Sequence, residues 1–392
     1  MKIFIREDIV EKIYIISVIL AFGLLFYANA EENPSPDGTV VNLGLGKSFY
    51  IPCGIALISS FYIKKTTDAF DFALYLLMAF SIISTFFNPP LSANFLEWTI
   101  TRFVFAILCF KDLRNINPRL FVKYLTLAAP IIVLPHYVLS NPFGYGAWRY
   151  AGFYGDPNFL ALALNFIITI CYFSFKLNEE NIVRACAVVA ILGAIPLILL
   201  GMSRGGLLGL SVVLIFIFSD IFLLHKGILL LIILVLIFLL WPVFVDMLEL
   251  FDLIEDRFSE GSANSRIEGI ESAINVLSNR PELIPFGIGP GNTVPMMSVY
   301  RQYGYICEYA IHNTFFAILF EMGIFCCLLY INLYFISFRL LMHFKLFPLV
   351  GLLLSSVLSL FTLPGAAFMP GWILLFFTSN HNIEELHGSN IV

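Results

Sequence analysis

The sequence predicts an all-α membrane protein: a polytopic bundle of about twelve transmembrane helices carrying one large, partly helical extracytoplasmic loop. Three observations predict it. Hydrophobic residues make up 59% of the chain and charged residues 12%, with a mean hydropathy of +0.90, and a soluble domain of that composition would expose far too much apolar surface. The apolar residues fall into runs near the ~20 residues that cross a bilayer as a helix. Nine of the ten lysines then fall on one face of the threaded chain, and only Lys47 on the other. The positive-inside rule makes the lysine face cytoplasmic. In lipid each span must satisfy its own backbone, so helices follow from the apolar runs.

In order, the expected spans are 11–29, 48–63, 68–87, 97–110, 120–139, 157–175, 185–202, 206–223, 227–244, 313–335, 347–363 and 365–379. An even number puts both termini in the cytoplasm, which agrees with Lys2, Arg6 and Lys12 at the start. The first span ends in Ala28-Asn29-Ala30 and resembles a signal peptide there, but Glu7, Asp8 and Glu11 spoil the basic region. An uncleaved first span is therefore expected. The chain reads as a single membrane domain, 1–392, without repeats. Its cytoplasmic loops are too short for a nucleotide-binding domain, and its seven cysteines form no ligand-spaced cluster. No metal, cofactor or nucleic acid is expected.

The longest segment outside the spans, 245–311, holds ten acidic residues, four arginines and no lysine. Loops of that length are commonly functional. Val245 to Glu260 is acidic with interspersed apolar residues, a pattern that suits a segment lying against the bundle or the interface. Ser265-Arg266-Ile267-Glu268 reads as a capping box, followed by Ile267, Ile270, Ile274 and Leu277 at helical spacing and stopped by Asn279-Arg280-Pro281. Arg266 would then be the first helical residue, either a solvated loop arginine or a phosphate site beside a helix N-terminus. Phe286-Gly-Ile-Gly-Pro-Gly-Asn292 lacks a preceding strand, so it is a tight turn rather than a dinucleotide fingerprint. The loop closes at His312-Asn313. Asn313 is a natural helix N-cap, and His312 is either its neighbour alone or a proton acceptor at the membrane surface.

Arginine persists on the face that lysine avoids. Arg149, Arg204, Arg257, Arg266, Arg280 and Arg301 lie there, with Arg102 just below the surface. Permanently charged, planar guanidinium groups in that pattern point to an anionic ligand, phosphate first. Arg204 stands in Gly201-Met-Ser-Arg-Gly-Gly206 at a span boundary, where snorkelling is the alternative. Asp156 and Pro157 form a sound helix start. Trp148, Tyr150, Phe153 and Tyr154 beside them suit an interfacial aromatic belt or a sugar-stacking platform.

Taken together, Gly152-Phe-Tyr-Gly-Asp-Pro-Asn-Phe-Leu-Ala161, Ser203-Arg-Gly-Gly206, Ser265-Arg266, the 286–292 turn and His312-Asn313 followed by Glu321-Met-Gly323 resemble the O-antigen ligase and polymerase superfamily of bacterial membrane glycosyltransferases. The resemblance is clearest over 150–335. It implies a donor glycan on undecaprenyl diphosphate, a glycan or lipid acceptor, and an active site on the periplasmic or extracytoplasmic face of the inner membrane. It carries the family's essential arginines onto Arg204 and Arg266 and its loop histidine onto His312. Arg149, Arg102, Arg280 and Arg301 are secondary contacts for diphosphate or sugar. The Gly-Asp-Pro-Asn stretch is more similar to polysaccharide polymerases than to ligases that move a finished glycan to lipid A–core. A flippase and a chain-length regulator are the partners a polymerase implies. Of the other function classes, a transporter or glycan flippase predicts internal repeats and midplane polar residues, and the sequence offers instead polar residues gathered at one surface.

Overall fold

The computed structural model describes residues 7–27, 48–87, 103–139, 150, 152, 157–178, 180–201, 203–224, 262–293, 297–304, 311–361, 363 and 369–387. Among them every regular element is helical and no strand occurs. The helices are α1 (Glu7–Leu25), α2 (Tyr50–Ser60), α3 (Ala69–Phe87), α4 (Phe105–Phe110), α5 (Pro118–Val133), α6 (Pro135–Leu139), α7 (Pro157–Leu177), α8 (Asn181–Leu200), α9 (Arg204–Leu224), α10 (Ser262–Asn279), α11 (Thr314–His343), α12 (Phe347–Leu360) and α13 (Met369–Thr378).

Five segments are long and apolar enough to cross a membrane: α3, α5 with α6, α7, α8 and α11. The protein is a multi-pass membrane protein. Shorter apolar helices occupy the expected runs at Tyr50–Ser60, Gly205–Ile221, Phe347–Leu360 and Met369–Thr378. Of the expected spans, 227–244 lies outside the described residues, as do 88–102 before α4.

One helix organises the rest. The apolar window of α7 is 78% buried, against 39–44% for the other four long spans, and α7 packs against α5, α8, α9, α12 and α13. Of its partners, α5 and α8 each keep an exposed apolar face, whereas α13 is buried almost throughout. Close approach is set by small residues: a Cβ on Gly209 would strike Ser355 of α12, and one on Gly206 would strike Ala161 of α7. The first span is an integral part of this core. Tyr14 donates to the Cys109 carbonyl at 3.0 Å and Tyr27 to that of Ile132 at 2.6 Å, and Phe22 packs edge-on against Phe166.

Among the described residues Lys65, Lys111, Lys123 and Lys176 are paired with carboxylates toward one end of the bundle. Lys111 and Lys65 reach Asp112 at 3.3 and 3.8 Å, Lys123 reaches Glu180 at 2.5 Å and Lys176 reaches Asp220 at 2.8 Å. At the centre of this end lies Arg114, 1% exposed. Its guanidinium donates to Asp71, to Asp68 at 2.7 Å and to the Ser379 hydroxyl at 3.1 Å, and it stacks over Phe70 at 4.2 Å. Asp68 also caps α3, accepting from the amides of Phe70 and Asp71 at 2.8 and 3.1 Å. The C-terminal residues are tied to the same place. Asn380 donates to the carbonyls of Leu113 and Ile116, and the His381 amide to that of Arg114 at 2.9 Å.

Candidate active site

Four local structures build the opposite end, where α9 and α11 begin. The first is the α8–α9 turn. Ser203 caps α9 by accepting from the Gly206 amide at 3.0 Å, while its hydroxyl donates to Asn158 at the start of α7. Arg204 is therefore the first residue of α9, held at the helix mouth by a capped turn. Antiparallel α9 and α12 pack together, so the α9 start lies toward the α12 C-terminus.

The second is the segment before α7. The Tyr150 amide donates to Leu200 at the end of α8 at 3.1 Å, and its hydroxyl meets Nδ1 of His136 at 2.8 Å. Both side chains are fully buried. Gly152, at φ +56°, lies against the same imidazole, where a Cβ would sit 3.0 Å from the ring. Tyr150 is thus no member of an interfacial aromatic belt. It is core, because the backbone bond to Leu200 carries it inward. Trp148, Phe153, Tyr154, Arg149 and Asp156 lie outside the described residues, as does Arg102.

The third is the mouth of α11. Asn313 accepts from the Phe316 amide at 3.1 Å, the N-cap that the sequence predicts. Thr314 donates to the Leu363 carbonyl, just past α12, at 2.5 Å, which draws the α11 mouth to the end where α9 begins. His312 is half-buried one residue before the cap.

The fourth is a break inside α11 that the sequence did not announce. Gly323 adopts φ 86°, ψ 176° within an otherwise helical span. A broken helix in a membrane exposes backbone groups that something must satisfy. The 286–293 loop does so. Ile288 and Gly289 donate to the carbonyls of Phe320 and Glu321, each at 2.8 Å, and the Ile324 amide donates to Ile284 at 2.8 Å. Ser84 of α3 donates to the Phe286 carbonyl and, at 3.2 Å, to that of Glu321. Phe286 stacks on Phe87 with ring centroids 4.6 Å apart. Gly287 needs its positive φ of 69° and has no room for a Cβ, which would strike the Glu321 backbone. The turn reading of this motif holds, with the addition that the turn fills a helix break.

Helix α10 packs over this assembly. Ala273, Val276 and Leu277 bury against Ile288, Tyr300, Ile311 and Phe320. One expectation changes here. The helix is already formed at Ser262, so Ser265 does not start it and Arg266 lies in its second turn rather than at its first residue. The polar run 262–264 accepts helical geometry, and such boundaries shift easily. Arg266 therefore does not stand at a helix N-terminus. The apolar stripe divides between surface and core, with Leu277 buried. Ile267 and Ile274 are exposed at 54% and 47%, and small residues, Ser272 and Ala273, face inward because the helix must approach residues 288 and 311 closely.

Of the remaining candidates, Arg280 stands half-exposed after α10, paired with Glu282 and 4.8 Å over the Tyr303 ring. Hydrogen bonding to Arg280 holds the Glu282 carboxyl below its usual value. Arg301 is exposed in the following turn. Among the described residues the group with metal-ligand spacing is Asp68, Asp71 and His381, at the other end of the molecule. The Arg114 guanidinium already bridges those two carboxylates, so a side-chain cation neutralises them. Of His136, Glu321 and Arg114, only Glu321 entered the sequence reading, as part of the Glu321-Met-Gly323 motif. An ionisable residue inside an apolar run was the available signal for the first two.

Residues 186–331, from α8 into α11, match the family model described as O-antigen ligase. That segment of the chain is similar to the O-antigen ligase family. The match supports the O-antigen ligase and polymerase superfamily, whose members are glycosyltransferase-like enzymes. It contains Arg204, Arg266, Arg280, Arg301, His312 and the Gly323 break, and leaves Arg102 and Arg149 outside. No curated protein matches the chain.

Proposed function

We propose that the protein is a polysaccharide polymerase, transferring a growing glycan from undecaprenyl diphosphate to a lipid-linked repeat unit at the extracytoplasmic face of the bacterial inner membrane. One observation carries this reading. The matched segment brings the α9 start, the α11 mouth and the packed α10 helix to the end of the bundle remote from the lysines. In this reading the chain crosses the membrane about twelve times with both termini in the cytoplasm, and 245–311 is the extracytoplasmic loop.

The chemistry asks for two things. Breaking a glycosyl–diphosphate bond builds negative charge on the departing lipid diphosphate, and Arg204 and Arg266 are the groups assigned to stabilise it. The acceptor hydroxyl must lose its proton as it attacks, and His312 is the assigned base. Attack from the face opposite the leaving group inverts the anomeric carbon. The bond energy is stored in the donor, so the reaction calls for no nucleotide and, in this scheme, no metal. Arg149, Arg102, Arg280 and Arg301 are assigned to diphosphate or sugar contacts, Arg280 being the weakest of these because Glu282 already pairs with it.

A second reading is a ligase that delivers the glycan to lipid A–core, since the matched family is described as O-antigen ligase. Purified protein given a matched undecaprenyl diphosphate glycan separates the two. Longer lipid-linked products indicate polymerase, and transfer solely to a lipid A–core acceptor indicates ligase. Arg266→Ala and His312→Ala should each lower turnover by about 10²-fold or more. Full activity in both variants would remove the assignment.

A further inference from the structure

The glycine-rich turn invites the idea of a phosphate cradle, since successive glycine amides with positive φ form anion-binding concavities. Its hydrogen bonds say otherwise. Gly287 donates to Leu283, Ile288 and Gly289 donate to the broken helix, and Asn292 donates to Gly289. The two amides left, those of Gly291 and Thr293, donate to the Glu321 carboxylate at 3.0 and 3.3 Å, and the Thr293 hydroxyl adds a third bond at 2.6 Å. Pro290 has no N–H. Every backbone donor from Gly287 to Thr293 therefore has an acceptor within the protein, and the anion in the concavity is the protein's own Glu321.

That carboxylate sits two residues before the Gly323 break, on the helix whose mouth presents His312. The loop it grips contributes Ile288 to the cluster that seats α10, the helix of Arg266, and Ile311 beside His312 lies in the same cluster. We infer that Glu321 is a positioning residue for the transfer proposed above: an internal anion that clasps the 286–293 loop into the α11 break and so fixes the helix of Arg266 against the helix mouth of His312. The inference rests on that functional reading for its catalytic consequence, and on the hydrogen bonds alone for the clasp. Glutamine in its place turns an amide N–H₂ toward a donor, which opposes the loop rather than holding it.

The test uses the full-length protein in nanodiscs, with amide hydrogen exchange over 284–293 and steady-state transfer from an undecaprenyl diphosphate glycan. Glu321→Gln should expose the amides of Gly291 and Thr293 to exchange while 262–279 stays protected. It should lower kcat by about tenfold or more and leave KM nearly unchanged, because misplacement of the reacting groups is a loss of orientation. Thr293→Val, which removes one bond of the three, should shift both readouts less in the same direction, and Thr293→Ser should restore them. A loop equally protected in Glu321→Gln overturns the clasp, whatever the activity of the parent protein. A loosened loop with unchanged kcat overturns the positioning role. Absence of transfer by the parent protein itself would sink the functional reading and, with it, the catalytic half of the inference, leaving the exchange result to judge the clasp.

Discussion

Arg114 at the lysine end and Glu321 at the opposite end are both charged groups enclosed by the bundle, yet they are neutralised in different ways. Arg114 is met by two carboxylates, a hydroxyl and an aromatic face. Glu321 is met by two backbone amides and one hydroxyl, with no cation among its hydrogen-bond partners in the described residues. A charge balanced by opposite charges joins α3, the 111–114 turn and the C-terminal segment into one unit, and removing it strands the others. A charge balanced by dipoles strands nothing ionic when it is lost. It releases a loop. One end of the molecule is fastened by ion pairs and the other by backbone dipoles.

The comparison breaks first at Arg114. Arg114→Ala should destabilise the protein by about 3–5 kcal/mol, the usual result of leaving a buried carboxylate, here Asp71, unpaired, and thermal unfolding in detergent reads it. Stability within 1 kcal/mol of the parent, roughly the worth of a surface pair, would mean that solvent reaches Asp71. Next comes Gly323→Ala, for which the carbonyl of Pro285 leaves no space and the positive φ adds strain of about 1–3 kcal/mol. Its signature should be local, with faster exchange over 284–293 and little change at the lysine end. Ser203→Ala removes the α9 cap and should cost about 1 kcal/mol, seen as a lower melting temperature.

Acid should separate the two ends further. Burial, and then the neighbouring Arg114, lower the pKa of His381 from 6.5 against the pull of Asp68 and Asp71. A histidine held neutral in the fold contributes stability at neutral pH that falls away as pH drops below 6.5. Burial alone would raise the Asp68 carboxyl, but Arg114 and the Asp71 amide overcome it and hold the pKa below 3.8, so its contribution is lost only in stronger acid. Melting between pH 7.5 and 5 should therefore fall in the parent and flatten in His381→Gln, while exchange over 284–293 stays unchanged. The smallest effect belongs to Lys123→Ala. Its pair with Glu180 is open to solvent and should be worth less than about 1 kcal/mol by the same melting assay.

Much of the fold was legible because its signals are local. Apolar run length gives spans, lysine distribution gives the two ends, and Asn313 announces the start of α11 through one side chain and one amide. The site was legible in part. Ser203-Arg204 and His312 stand at helix mouths as read, since glycines and caps mark mouths in the sequence. The buried face of α10 was only partly legible, because isoleucine spacing describes an apolar stripe and cannot say whether the neighbour needs small residues instead. The Gly323 break was not legible either. A glycine in an apolar run is an ordinary transmembrane residue until a loop 30 to 40 positions earlier supplies the missing hydrogen bonds.

The sequence by itself determined a helical membrane protein with a lysine-bearing end, a loop-bearing end and an O-antigen ligase-like set of motifs, because solvent transfer and charge placement act residue by residue. Only the tertiary structure decided that Arg114 belongs to Asp68 and Asp71, that Tyr150 is core, and that the glycine turn is already filled by Glu321. Those are pairings between distant segments. A polar group's partner is chosen by which segments the packed helices bring within hydrogen-bond reach, and no local pattern records that choice.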